Sequence, residues 1–358
     1  MDRVLYLPST PLNILMSASH AVHFASEQVA QVWLIDQAQA EPNIYTDILN
    51  AWPESPFQQV KQFEGGAGFK KLSVRKNNFK EFEVLLSAFK PNTLAVGSDR
   101  RIEFQYIWHY LILHGQNPLK SLYLDDGLYT YSGRSSSVWK DGFNSLLKKW
   151  VYGQWWEEPV TVGASSKINQ AWLFLPELAK KEIVQDKQVI CFQAEWLQSD
   201  EILSLSRNVM EAFSENILDY QTIDILWFLP HPDNAAKMQN YVVNVKVAIQ
   251  SLINKGYRVA VKYHPRVTEK DPFNLAASQG VSVIPHKMAS EFILPALSAE
   301  TRVMGDVGTA MLTCKWLRPD IDVMAFLSET DPFQAKFIPL MRKMGIRIEQ
   351  ISAIGDTI

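Results

Sequence analysis

The chain is short of the residues that most often announce a chemistry. Its 358 residues include only two cysteines, Cys191 and Cys314. There is no C-x-x-C and no His/Cys cluster at metal-ligand spacing, so neither a disulfide scaffold nor a structural zinc site is expected. Both cysteines lie in apolar runs and read as buried small hydrophobes, which suits a reducing cytosol. No run of about 18 apolar residues occurs, so no segment is expected to span a bilayer. The opening MDRVLYLPSTP enters a strand directly and carries no secretory signal pattern. The expected location is cytoplasmic, with peripheral contact at the inner face of the membrane as the further option. Charge of one sign is also lacking. At a net −3 the chain offers no electrostatic case for a nucleic-acid partner. No G-x-G-x-x-G follows a strand pattern and no G-x-x-x-x-G-K-[ST] exists, which disfavours dinucleotide dehydrogenases and removes P-loop enzymes.

What is present is ordinary for a soluble folded protein: 47% apolar and 20% charged residues, in a chain long enough for two domains. Aromatics are abundant, with 11 tryptophans and 12 tyrosines, and some are expected to line a surface for a ring-shaped ligand or a membrane interface. Two stretches bear on that. The basic GFKKLSVRKNNFK (68–80) reads as a solvated loop and helix start, or as a patch resting on anionic lipid or an acidic acceptor. The aromatic LLKKWVYGQWWEEP (146–159) reads as a helix end packed on the core, or as an interfacial contact.

Strand-like and helix-like runs alternate almost throughout, which predicts an α/β protein with parallel sheets. VLYLP (4–8), QVWLID (31–36), TLAVGS (93–98) and SLYLDDG (121–127) are predicted strands of the first half, with a helix over 42–51 and a long loop after it. QVICFQAEW (188–196), IDILWFLPHP (223–232), YRVAVKYHPR (257–266), VSVIPH, RVMG and DVMAFL continue the pattern in a second half, with a boundary near 175–195. The segment DPFQAKFIPLMRKMGIRI reads as a helix following a completed sheet. Thr10 can cap the first helix, with Pro11 in its first turn. That places Ser9 and Thr10 at the carboxyl end of a strand, where open α/β sheets keep their ligands.

Four short stretches carry candidate chemistry. Asp125 and Asp126 are neighbours on a strand end, so they point to opposite sides. One is expected to brace the loop and the other to act as general base toward a sugar hydroxyl, with Gly127 allowing a sharp turn and close substrate approach. Alone, the pair also suits a plain strand-ending turn. In VKYHPR, Lys262 and His264 project to one face of a regular strand and suit a phosphate, with Pro265 ending the strand. Glu291 opens an apolar helix, where a carboxylate can take both ribose hydroxyls of a nucleotide or merely complement the helix dipole. Gly308 and Thr309 precede a helix whose free N–H groups form a phosphate site, or an ordinary cap. A second His–Pro, at His231, borders the same region and ranks below His264 because no cation sits two residues before it.

This order of motifs resembles the bacterial sialyltransferases of the GT-B fold, including the lipooligosaccharide sialyltransferase and polysialyltransferase families. Asp125-Asp126-Gly127 matches their Asp/Glu-Asp/Glu-Gly motif and His264-Pro265 their His-Pro motif. Gly308-Thr309 stands where a Ser-Ser/Thr motif belongs, one hydroxyl short. YLPSTPLNIL looks like their Thr-Pro-Leu opening. The resemblance implies two Rossmann-like domains facing across a cleft: 1–190 on the acceptor side, 191–335 for the donor, and 336–358 as a helix packing back toward the first. It implies an inverting transfer of a sialic-acid-like nonulosonic acid from a CMP-activated donor to a glycan or glycolipid acceptor, in lipopolysaccharide or other polysaccharide biosynthesis. No cofactor and no metal is implied, the CMP-sugar being a co-substrate, and no D-x-D sits in a suitable loop. In that reading Asp126 takes the acceptor proton, His264 meets the CMP phosphate, Glu291 holds the ribose and Thr309 adds a phosphate contact. The rival expectations are a GT-B transferase using CMP-Kdo, CDP-glycerol or a UDP-sugar, an epimerase-like enzyme needing no acceptor, and a non-catalytic glycan-assembly protein.

Overall fold

The computed structural model describes residues 1–38, 43–66, 68–116, 119–133, 138–306, 308–331 and 334–350, without the side chains of residues 69, 138–144 and 309. The chain divides into two compact units, Met1–Leu205 and Ser206–Ile358. Each is built on a parallel sheet flanked by helices. In the first, β1 (Asp2–Leu7), β2 (Gln28–Gln37), β3 (Phe57–Glu64), β4 (Thr93–Val96), β5 (Lys120–Leu124), β6 (Gln170–Leu173) and β7 (Gln188–Cys191) lie in the order β3-β2-β1-β4-β5-β6-β7. In the second, β8 (Ile225–Phe228), β9 (Val259–Lys262), β10 (Val281–Ile284), β11 (Arg302–Gly305), β12 (Asp322–Phe326) and β13 (Arg347–Glu349) lie in the order β10-β9-β8-β11-β12-β13. The strand order reverses between β1 and β4 in one sheet and between β8 and β11 in the other. Such switch points open a crevice at the carboxyl ends of the strands.

The strands are apolar because helices cover both faces of a parallel sheet. TLAV, ILWF and VAVK are buried at every position. Each unit has its own core. Trp33 stacks on Phe82 in the first, and Trp227 packs near Phe326 in the second. Some of the large aromatics are core, among them Trp33, Trp156, Trp227, Tyr6 and Tyr123, which are fully buried.

Several local expectations change. The long loop after residue 51 contains β3, an edge strand in which only Phe57 and Phe63 are buried, so its sequence FQQVKQFE shows little apolar signal. The basic stretch 68–80, expected as a solvated loop and helix start, lies mostly within the helix Lys71–Phe89, and its Arg75 is buried. β7 pairs with β6, so it closes the first sheet, and the units divide at Leu205/Ser206, later than 190/191. The segment after residue 336 forms the helix Ile338–Lys343 and then β13, which pairs with β12 and extends the second sheet. Residues 351–358 lie outside the described residues. Cys314 is buried as expected, but Cys191 is exposed, because it ends an edge strand with an uncovered face. Among the described residues no helix is long and apolar enough to cross a membrane.

Candidate active-site residues

The first sheet gathers its acids at the switch point. β5 ends in Leu124, and the two following carboxylates part as alternation requires. Asp125 is fully buried. It accepts hydrogen bonds from the Gly127 N–H (3.0 Å), the Thr130 hydroxyl (2.8 Å), the Phe174 N–H (3.2 Å) and the Tyr131 hydroxyl. Every lone-pair direction is taken, so Asp125 ties the turn to the β6 end and has nothing left for a substrate. Gly127 has φ 96°, a left-handed conformation that a side chain would strain, and it opens the short helix Leu128–Ser132.

Asp126 is only partly buried and keeps one named side-chain partner, the Asn13 amide, which donates to Oδ1 at 2.8 Å. Asn13 lies in the first turn of the helix Pro11–His23, and Thr10 caps that helix by accepting from the Asn13 N–H at 3.2 Å. The Thr10 hydroxyl oxygen thus serves the cap and keeps its own O–H to donate. Gly97, just past β4, makes room for this arrangement: a Cβ there would meet Asn13 Nδ2 at 2.0 Å. Desolvation pushes Asp126 up to about 7, against the pull of the Asn13 hydrogen bond and of Arg101. Asp99, also buried, accepts from the Gly163 N–H (2.9 Å) and the Ser165 N–H (2.7 Å), and desolvation raises it to about 6.

Around these acids runs an ionic chain that is partly exposed at Arg101 and Asp36 and buried at Arg75 and Glu103. Arg101 donates to Ser9 Oγ at 3.1 Å and pairs with Asp36, Asp36 pairs with Arg75 at 2.9 Å, and Arg75 pairs with the fully buried Glu103 at 3.0 Å. Asn13, Asp36, Arg75, Gly97, Asp99 and Arg101 are not singled out by the sequence reading. The run GSDRR directly after β4 is a signal for Gly97, Asp99 and Arg101, and nothing comparable marks the other three.

The second sheet presents imidazoles at the matching place. β9 ends at Lys262, so His264 sits in the turn after it. Lys262 is buried, and its ammonium donates to the His286 carbonyl at 3.2 Å. Burial lowers it to about 8, opposed by Glu291. His264 and His231, from the turns after neighbouring strands β9 and β8, meet edge to face with ring centroids 5.9 Å apart. In each ring Nδ1 accepts a backbone N–H from two residues on: Arg266 at 3.2 Å and Asp233 at 3.3 Å. A backbone N–H can only donate. An imidazole held in this way carries a proton on Nε2, the other nitrogen. Desolvation and nearby Arg266 hold His264 below the usual imidazole range, so it is neutral at pH 7.

Glu291 lies in the first turn of the helix Ser290–Ile293, half-buried, with the Ser290 hydroxyl donating to it at 3.1 Å. Pro265 is exposed. Gly308 is extended (φ −170°) and precedes the helix Thr309–Leu317 without any side-chain cap, and a Cβ on it would meet nothing within 4 Å. The Thr309 hydroxyl lies outside the described residues. Asp306, in the turn before this helix, is buried against the Tyr241 hydroxyl and raised by desolvation to about 7. Among the described residues no group of three or more His, Cys, Asp or Glu is placed to hold a metal ion.

No protein-family model matches the chain, and no curated protein matches it in sequence. Solved structures match in shape. An α/β-galactoside α-2,3-sialyltransferase from the luminous marine bacterium Photobacterium phosphoreum has a TM-score of 0.58 at 11% identity, covering 100% of both chains. The UDP-GlcNAc 2-epimerase of Methanocaldococcus jannaschii has a TM-score of 0.56 at 12% identity, covering 98% of this chain and 89% of its own. The GT-B domain of a Photobacterium damselae sialyltransferase scores 0.53 at 12% identity, covering 97% of this chain and 100% of its own. The chain therefore has the α/β architecture of the GT-B fold. At these identities the likeness speaks for the fold, and the reaction has to be argued from the residues.

Proposed function

We propose that the protein is an inverting glycosyltransferase that moves a nonulosonic acid from a CMP-activated donor to a glycan or glycolipid hydroxyl. The observation that carries this reading is Asp126: a carboxylate at a switch-point edge, steered by one amide, partly open, and raised to about 7. A base works best when its proton affinity lies near the working pH. Its buried neighbour Asp125 is fully engaged, which separates the structural acid from the working one.

In the proposed step the acceptor oxygen bonds to the anomeric carbon as its proton passes to Asp126. The bond from that carbon to the CMP phosphate oxygen breaks, and its electron pair leaves with CMP. His264, neutral with Nε2–H available, donates to the phosphate, and His231 stands beside it. The uncapped helix start at Gly308 and Thr309 adds backbone N–H donors, and Lys262 adds positive potential. Glu291 would accept the ribose hydroxyls. No metal or cofactor enters this reading. The full-coverage likeness to sialyltransferases supports it, as does the motif order.

The test is CMP release from CMP-sialic, CMP-legionaminic and CMP-pseudaminic acids across an acceptor panel, with thermal shifts from CMP, CDP, UDP and GDP alongside. Asp126→Ala should abolish transfer and keep CMP affinity, and His264→Ala should weaken both. No stabilisation by CMP together with no release from any such donor would overturn the proposal. Preferential stabilisation by CDP or UDP would move it to another donor, such as CDP-glycerol or a UDP-sugar. A second reading, epimerisation of a nucleotide sugar without acceptor, is favoured by the likeness to the UDP-GlcNAc 2-epimerase of Methanocaldococcus jannaschii. Conversion of a UDP-sugar in the absence of any acceptor would establish that alternative.

A further inference from the structure

On the helix Val138–Tyr152, three large apolar side chains face solvent: Leu146 is 66% exposed, Leu147 44% and Trp150 84%. Spacings of three and four residues put them on one face. The opposite side of this helix end is accounted for. The Tyr152 hydroxyl receives Arg75 at 3.4 Å, and Lys148 is held by Glu158 at 2.9 Å over the Trp156 ring. The outward stripe is thus no frayed core edge. A tryptophan left this open on a helix whose other side is well packed marks a surface that meets something apolar.

The neighbouring helix supplies the charge. The helix Lys71–Phe89 packs on Tyr152 through Arg75 and Phe79. Lys70, Lys71, Lys76 and Lys80 at its start and along its length are exposed, with Leu72 among them, and among the described residues none of these lysines is in an ion pair with a carboxylate. We infer that this pair of helices docks the protein on an anionic lipid surface, with Leu146, Leu147 and Trp150 entering the headgroup boundary and the lysines resting on the phosphates.

Charge complementarity selects that occupant. A second copy seated on the same patch by two-fold symmetry would bring the two lysine clusters together. A nucleic acid would use the lysines and leave the Leu-Leu-Trp stripe in water. An interfacial helix with an apolar face and adjacent lysines meets both demands of an anionic bilayer and needs no spanning segment. This inference stands on the exposed side chains alone and is independent of the reaction proposed above.

The test uses the full chain with sedimenting vesicles of phosphatidylcholine alone, or of phosphatidylcholine and phosphatidylglycerol in equal parts. The wild type should sediment with the anionic vesicles, less with the neutral ones, and be released by high salt. Lys71→Glu with Lys76→Glu and Lys80→Glu should lower partitioning to anionic vesicles by roughly tenfold or more. Leu146→Ser with Leu147→Ser and Trp150→Ser should lower partitioning to both. All six side chains are at the surface, so circular dichroism and melting should be unchanged. Brominated acyl chains should quench wild-type fluorescence, and Trp150→Phe should remove that quenching while binding persists. Absence of wild-type binding to anionic vesicles, or undiminished binding by either triple variant, overturns the inference. So does a concentration-dependent dimer that the Ser triple variant abolishes without any vesicle binding, which would give the face to a second copy.

Discussion

The carboxyl edges of the two sheets solve different problems with the same topology. The first collects ions and withdraws them from water in part or in full: Asp36, Arg75, Arg101 and Glu103 compensate one another, Asp99 is held by two backbone N–H groups, Asp125 is saturated by four hydrogen bonds, and Asp126 is what remains partly open. The second collects donors: two imidazoles with Nε2–H available, a lysine turned to a carbonyl, and an uncapped helix start. A built-in desolvated acid suits proton abstraction, whereas a set of hydrogen-bond donors that includes a cation suits an anion that arrives and leaves. The difference makes a general expectation. Changes at the first edge should register in rate and stability, and changes at the second in nucleotide affinity.

The sharpest test is Asp126→Asn. The amide can still accept from Asn13, so the local geometry persists, but it cannot take a proton. Transfer should fall by about 10²–10⁴. Stability should move the other way. The folded pKa of about 7 lies above the unfolded value of roughly 4. The folded chain thus holds a proton that the unfolded chain has released between those values. The resulting cost is absent below about pH 4 and complete above about pH 7. Asp126→Asn should therefore raise the melting temperature at pH 8 and leave it unchanged at pH 4, and the wild-type rate should climb as pH rises through about 7. A variant that is inactive yet no more stable at pH 8 would mean that Asp126 is not held up by its surroundings.

Arg75→Ala tests the buried chain. It leaves Glu103 fully buried without its cation, at a cost of about 3–5 kcal/mol in denaturant unfolding. CMP affinity of the remaining folded protein should be unchanged. At the second edge the pattern should invert. His264→Ala, in a half-buried turn, should leave stability within about 0.5 kcal/mol. It should cost roughly 1.5–3 kcal/mol in CMP affinity, the worth of a hydrogen bond to a charged group. Isothermal titration checks it, and an effect on unfolding without one on CMP would break the comparison.

What the sequence made legible follows the same division. The acidic pair, the His–Pro turns and the Gly-Thr helix start are local patterns, and alternation carries the α/β architecture because the central parallel strands are apolar throughout. What escaped is what depends on distant partners. Arg75 reads as one of several solvated cations in a basic run. It is buried because Asp36 and Glu103 arrive from other elements. The Asn13 amide that steers Asp126 is 113 residues away in the chain, and Gly97 matters only because Asn13 fills the space its side chain would take. The polar edge strand β3 lacks an apolar signal, and Cys191 is exposed although it sits in an apolar run, because it ends an edge strand. His231 ranked second for want of a nearby cation, a criterion that ignores strand adjacency, yet adjacency is what brings it to His264.

The smallest effect asks whether the second edge is an anion site at all. Gly308 stands where the resembling motif has serine, and it leaves the helix Thr309–Leu317 without a side-chain cap. Its backbone is extended, which any residue adopts, and a Cβ would meet nothing within 4 Å, so Gly308→Ser should fold normally. A serine there has two uses. As a cap it would add a few tenths of a kcal/mol over glycine whether or not nucleotide is present. As a phosphate donor it would add about 0.5–1.5 kcal/mol to CMP binding, a several-fold gain in affinity. Titration with CMP alongside melting without it separates the two. If affinity rises and the nucleotide-free melting temperature barely moves, the hydroxyl has found an anion and the helix start is where the phosphate rests. If melting rises and affinity does not, the helix start is an ordinary terminus, and the imidazoles would have to hold the nucleotide without it.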